Sequence, residues 1–289
     1  MERELWKRIS EAITAVDRRV TNVCYTHSMG RIMRVYPWAV LHDRPVYWAC
    51  RRENWRGVRP PRALPHQSRM SRRLRQEDTR EFLAEVIARF HRTDRPDLLK
   101  FVDGKPLPVS RHSEDPDARF GRGAGGLNNG YKLHAIYGQS DRLLAWQVHP
   151  MNVDERTVAV ELVKELTDEG YLLGDCNYDA HRLYVAAQEH GHQLVAARRF
   201  GSDRKMGHRR HSPQRLRSVA LLEGPSEFGR VLYKERRQIE TRFGNLCSFG
   251  GGLVCLPPWV RTLPRVRLYV AAKILIRATR NVLIRERAA

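Results

Sequence analysis

In the first third of the chain, apolar residues recur at helical spacing. Leu5, Ile9, Ala12, Ile13 and Val16 share one face of ELWKRISEAITAV, a period near 3.6 that predicts an amphipathic helix. RIMRVYPWAVLHDRPVYWACRRENW follows, rich in aromatics and broken by Pro37 and Pro45. LPHQSRMSRRLRQEDTREFLAEVIARF predicts two helices. The first carries Arg69, Arg72, Arg73 and Arg75; the second buries Phe82, Leu83, Val86, Ile87 and Phe90. A short Ser- and Arg-dense helix after a Pro-led turn suits the reading helix of a helix-turn-helix unit. It suits a solvated basic helix equally well.

HRTDRPDLL punctuates the chain, and beyond it the period changes. LLKFVDGKPLPV is a strand-like run with its apolar part ending at Asp103, and YKLHAIYG and RLLAWQVHP read as antiparallel partners. DERTVAVELVKELTDEG is expected to be a helix capped by Asp154 and stopped by Gly170. YLLGDCNYD is a strand ending at Asp175, AHRLYVAAQEHG a helix and HQLVAARR a strand. Three antiparallel strands, helix, strand, helix, strand is the order of an α/β domain with a mixed sheet. The expected division is a basic helical region over 1–97 and an α/β domain over 98–289, with a short basic insertion at about 198–228. The Gly-rich RFGRGAGGLNNG and the basic RRFGSDRKMGHRRHSPQRLRS read as low-complexity segments.

Charge narrows the partner. Lys and Arg number 52 against 32 Asp and Glu, a net charge of +20 carried mostly by arginine, whose planar fork suits phosphate. Nucleic acid is the expected polyanion. Five cysteines without CxxC spacing read as reduced thiols, which argues against a disulfide framework or a zinc site. With neither a signal-peptide pattern nor a run of about 18 apolar residues, a soluble, cytoplasmic protein with no membrane partner is expected.

Two predicted strands present an aspartate where they emerge, Asp103 in FVDGKPL and Asp175 in LLGDCNYD. Such positions hold metal ligands rigidly, although aspartate also starts turns well. A third carboxylate lies in LYKERRQIETRFGNLC. Read as one helix, Leu232, Ile239, Phe243 and Leu246 form a core stripe, with Tyr233, Arg236, Glu240 and Cys247 beside it. That puts Glu240 at the margin of the buried face and Glu235 on the solvent side. The alternative for Glu240 is an ordinary ion pair with Arg236.

VDGKPLPV, GYKLHAI, HPMNVDE, LLGDCNYDAHRLY and YKERRQIETRFGNL, in this order, resemble the catalytic domain of bacterial insertion-sequence transposases of the DDE type. The resemblance is clear over 98–289 and looser before it. It implies a ribonuclease H-like mixed sheet flanked by helices, with the helical N-terminal region binding DNA. By motif match Asp103, Asp175 and Glu240 take the places of the catalytic, metal-binding triad. Tyr233 and Arg236 match the Tyr-x-x-Arg-x-x-x-Glu signature around the glutamate, and Cys247 stands where the signature places a lysine. The implied chemistry is cleavage at element ends and strand transfer to target DNA, on two Mg²⁺ or Mn²⁺ ions about 3.5–4 Å apart. In this reading Asp103 bridges the ions while Asp175 and Glu240 each hold one. The implied partners are double-stranded DNA, both element ends and target, and a second copy of the chain on DNA; the implied setting is the bacterial nucleoid.

Lys132 and His134 are expected near the DNA backbone by the same resemblance, although a strand histidine is as often structural. Arg198, Arg199, Arg204, Arg209 and Arg210 of the basic segment are expected to track phosphates. Asn152 reads as shaping a turn, Asp179 as a helix cap, and Tyr131, Tyr178 and Tyr184 as core or sheet-edge aromatics. Two other readings stay open: a ribonuclease H-like nuclease that cuts without joining, and an inactive or domesticated chain that only binds DNA.

Overall fold

The computed structural model describes residues 2–19, 27–91, 96–110, 112–123, 125–201, 205–206, 211–248 and 252–288. The chain divides by contact into two compact units, Met1–Arg92 with Asn245–Ala289, and Thr93–Gly244. The C-terminal segment thus groups with the N-terminal helices, whereas the sequence reading assigned everything beyond 98 to one domain.

The first unit begins with α1 (Glu2–Asp17), whose Leu5, Ile9, Ala12, Ile13 and Val16 are all buried. In α2 (Met29–Leu41), Ser28 caps the N-terminus by accepting from the Arg31 N–H. Pro37 lies inside α2 rather than ending it. Burial of Ile32, Met33, Val35, Tyr36, Trp38 and Val40 on several faces outweighs the roughly 3 kcal/mol that an interior proline costs. After α3 (Val46–Ala49) come α4 (Gln67–Arg73) and α5 (Glu77–His91). α5 buries Phe82, Leu83, Val86 and Ile87 as expected, whereas Phe90 near its end is only half-buried. Trp38 stacks on Trp55 at 5.0 Å and meets Trp6 edge-on at 4.9 Å, so the aromatic-rich segment forms a core.

The second unit is built on β1 (Leu99–Pro108), β2 (Arg119–Gly123), β3 (Gly126–Gly138), β4 (Leu143–Pro150), β5 (Gly170–Gly174) and β6 (His192–Ala196). Apart from the short β2, the order across the sheet is β4-β3-β1-β5-β6. β1, β3 and β4 are antiparallel neighbours, while β5 and β6 run parallel to β1. With helices packed on it, this mixed sheet has the ribonuclease H-like arrangement. β2 pairs with the first residues of β3, turning the Gly-rich segment into a hairpin.

α6 (Glu155–Lys164) and α7 (His181–Glu189) connect the strands, and Val158, Leu162, Leu183 and Tyr184 pack against Val102, Ile136, Leu172 and Leu194. Asp154 caps α6 as expected, accepting from the Arg156 N–H at 2.8 Å. Gly170 does not stop that helix. It opens β5 at φ +131°, where a Cβ would lie 2.1 Å from the Leu98 carbonyl oxygen. α8 (Pro213–Glu223) docks through buried Ser218, which accepts from the Ala196 N–H and donates to its carbonyl oxygen. α9 (Glu227–Lys234), a 3₁₀ turn (Glu235–Arg237) and α10 (Gln238–Cys247) follow where one continuous helix was expected. The last helix, α11 (Leu263–Ala288), packs on α1, α2 and α5 of the first unit. Among the described residues no helix is long and apolar enough to cross a membrane.

Candidate active site

The sheet register sets two carboxylates side by side. β1 and β5 pair in parallel only from Leu99↔Tyr171 to Phe101↔Leu173. Asp103 and Asp175 each stand two residues beyond that last pair, at the same height where the strands part. Asp103 is not at a strand end, because β1 runs on to Pro108 paired with β3, with Asp103 opposite Ala135. Antiparallel pairing beyond the parallel segment therefore holds its backbone from one side, leaving the other side open toward Asp175.

Asp103 is half-buried and accepts the Gly104 N–H at 2.7 Å. Burial pushes its carboxyl up to about 6; Asp175 and Glu155 push the same way, against the Gly104 N–H and Arg236. Asp175 caps the short 3₁₀ turn Cys176–Tyr178, accepting from the Asn177 backbone at 2.8 Å and its side chain at 3.2 Å. These two oxygen-rich groups, close enough to repel, suit a hard divalent cation.

Glu155 is the carboxylate that sequence reasoning missed. It opens α6 and forms an ion pair with Lys132 of β3; the lysine side chain is 7% exposed and the glutamate 23%. A Cβ on Gly104 would lie 2.9 Å from Lys132 Cδ and 3.3 Å from Glu155 Cδ, so the pair packs against the backbone next to Asp103. Tyr178 is fully buried and has its hydroxyl pushed well above the usual range by burial, then by Glu155, Asp103 and Asp175.

The signature residues reach the same place from α9 and the 3₁₀ turn. The Tyr233 hydroxyl donates to the Gly174 carbonyl oxygen at 3.0 Å, directly before Asp175. Arg236, 25% exposed, acts on Asp103 and lies 4.0 Å from Glu240. α10 is fastened to the sheet by Phe243 against Tyr137, ring centroids 5.7 Å apart, and by Arg242 donating to the Gln139 carbonyl at 3.0 Å.

Glu240 does not join the two aspartates. Its side chain is 72% exposed, and among the described residues no group of three or more His, Cys, Asp or Glu is arranged to hold a metal ion. Glu240 follows buried Ile239 by one position, about 100° around α10, and so stands off the stripe of Ile239, Phe243 and Leu246 that faces the core. Ile239, Phe243 and Leu246 remain buried, while Leu232 is only half-buried. Cys247 is half-buried and its thiol donates to the Leu253 carbonyl at 2.8 Å.

Several residues expected to meet DNA are engaged within the fold. Arg73 is buried, with Nη1 donating to Gln76 at 2.6 Å. Lys132 is paired as above. His134 is buried in the sheet, and burial, followed by His149 and Lys132, drives its pKa down to about 3. Arg198 makes two bonds to Glu223, at 2.6 and 2.8 Å. Asp179 is no helix cap, since Ala180 holds that position before α7. It takes two bonds of 2.7 Å from Arg215 instead. Burial opposes its ionisation, but those bonds prevail and hold the carboxyl below its usual range. Arg72, Arg75 and Arg199 are exposed and Arg69 half-buried; Arg204, Arg209 and Arg210 lie outside the described residues. Tyr131, Tyr178 and Tyr184 are core residues, the first of the two places the sequence allowed them.

Residues 94–269 match the family model described as "Transposase DDE domain", more than half of the chain. Among the curated proteins none matches in sequence. A cryo-EM structure of piggyBac transposase in a synaptic complex with hairpin DNA is similar over 98% of this chain and 74% of that one, at 10% identity and a TM-score of 0.44.

Proposed function

Since this chain belongs to the transposase DDE domain family, we propose that it cleaves DNA at the ends of a mobile element and joins them to target DNA. The observation that carries this reading is the shared height of Asp103 and Asp175 at the parting of β1 and β5. Asp103 and Asp175 would hold Mg²⁺ or Mn²⁺, and Glu240, which stands apart from them on α10, would have to turn toward them when metal and DNA bind to serve as the third ligand. Bound there, divalent ions would stabilise the attacking and leaving oxygens of a phosphodiester. Tyr233 fixes the end of β5, Arg236 balances charge between Asp103 and Glu240, and the Lys132–Glu155 pair fixes the backbone after Asp103.

The net charge of +20 supports double-stranded DNA as partner. Two copies of the chain would pair two ends, at the nucleoid of a bacterial cell. A reading as a DNA-binding chain without catalysis draws on exposed Glu240 and on Cys247 in place of a lysine. Sequencing the DNA that flanks the gene for terminal inverted repeats, then assaying cut and joined products at them with Mg²⁺, tests the proposal. Joined products support it. Nicks without joining point to a plain nuclease, and binding without nicks to the non-catalytic chain.

A further inference from the structure

Within the helical unit, α2, α3, α4 and α11 with the segment before it enclose a cavity of about 250 Å³ that none of the chemistry above uses. Its walls are aromatic and its charge is of one sign. Tyr47 and Trp259 are 46% and 40% exposed, while Tyr269 is buried with its hydroxyl donating to Asp43 at 2.9 Å. Arg44, Arg75 and Arg265 line the same space and no carboxylate does. All three arginines are exposed, and among the described residues none of their guanidinium groups has a hydrogen-bond or ion-pair partner. Arg73 and Arg198, by contrast, are committed to protein acceptors.

α4 lines this cavity with Gln67 and Ser71, spaced by four on one face, and Arg75 lines it from the turn that follows the helix. Uncommitted guanidinium groups beside aromatic faces recognise a planar ring that carries an anion. At about 250 Å³ the space falls below the roughly 300 Å³ at which pockets for drug-sized ligands begin, so it takes one such unit and excludes a duplex.

We propose that this cavity binds a single unpaired nucleotide of a DNA strand, its base against Trp259 and Tyr47 and its phosphate at Arg44, Arg75 and Arg265. A base inside a duplex presents no free face, so the nucleotide must lie outside the stack. The inference rests on DNA being the partner, as proposed above.

The test is equilibrium binding of the full chain to a fully paired duplex and to the same duplex with one unpaired nucleotide, with a free deoxynucleoside monophosphate as competitor. The expected result is affinity for the second duplex at least about fivefold higher, a preference that falls toward unity in Trp259→Ala. Arg75→Gln, a change at an exposed turn position, gives the same reading should Trp259→Ala fold poorly. Equal affinity for the two duplexes, or a preference that survives both changes, overturns the proposal while leaving DNA as partner. Displacement of the second duplex by the monophosphate at equal concentration makes the ligand a free nucleotide and overturns the assignment to DNA. Failure to bind either duplex overturns the proposed function as well.

Discussion

The Tyr233 hydroxyl donates to the carbonyl oxygen of Gly174 at 3.0 Å, and Gly174 is the last residue of β5, directly before Asp175. One side chain of the signature segment thus fixes the strand end that presents a candidate ligand. Tyr233→Phe keeps the ring and removes only the donor. It should cost about 1 kcal/mol in a urea titration. Cleavage should fall by on the order of tenfold, because a partner that orients a metal ligand affects activity more than stability. Unchanged cleavage would make the bond merely structural.

Lys132 and Glu155 form a largely buried ion pair, so removing either partner strands a charge in the sheet's flank. Lys132→Met and Glu155→Gln should each destabilise by about 3–5 kcal/mol, and the double variant by clearly less than their sum. Additive losses in chemical denaturation would show that the two do not depend on one another.

The pH dependence of stability isolates Asp103. Its carboxyl rises from 3.8 to about 6 in the folded chain, mainly through burial. The folded state therefore binds more protons than the unfolded one between those values, and this group's contribution makes stability fall as pH rises through that window. His134 and His192, whose pKa values burial lowers to about 3 and about 4, act in the opposite sense, adding stability as pH rises toward 6.5. The difference between the wild-type chain and Asp103→Asn in metal-free buffer cancels the histidines. That difference should favour the asparagine variant increasingly from pH 4 to 6.5; a flat difference would mean Asp103 ionises normally.

Glu240 should behave otherwise. Because its side chain is 72% exposed, Glu240→Gln should leave stability within about 0.5 kcal/mol of the wild-type value in the same titration. A larger loss would mean the carboxylate is packed in solution.

Where periodicity carried the information, the elements were legible. The alternation in YKLHAIYG and RLLAWQVHP and the capping aspartate at 154 led to β3, β4 and α6, and from their order to the sheet. β2 was not legible, because its glycines are weak strand formers and pairing with β3 makes the segment extended. The break at Glu235–Arg237 was equally hidden, since no Gly or Pro marks it, and the helix wheel put Glu240 at the margin of the buried face, where its exposure could not be read. Nothing in the sequence singles out Glu155, since its partner Lys132 lies 23 positions away on another element. The grouping of 245–289 with the N-terminal helices depends on apolar faces meeting at long range, which no local pattern encodes.

The most direct measurement is Mg²⁺-dependent cleavage of element-end DNA by the wild-type chain and by Asp103→Ala, Asp175→Ala and Glu240→Ala, with binding to the same DNA followed in parallel. Each change should abolish cleavage while leaving DNA binding largely intact. Cleavage that survives in Glu240→Ala, the variant least able to disturb the fold, would contradict the three-carboxylate site. Cleavage surviving in Asp103→Ala or Asp175→Ala would contradict the site at the parting of β1 and β5 altogether.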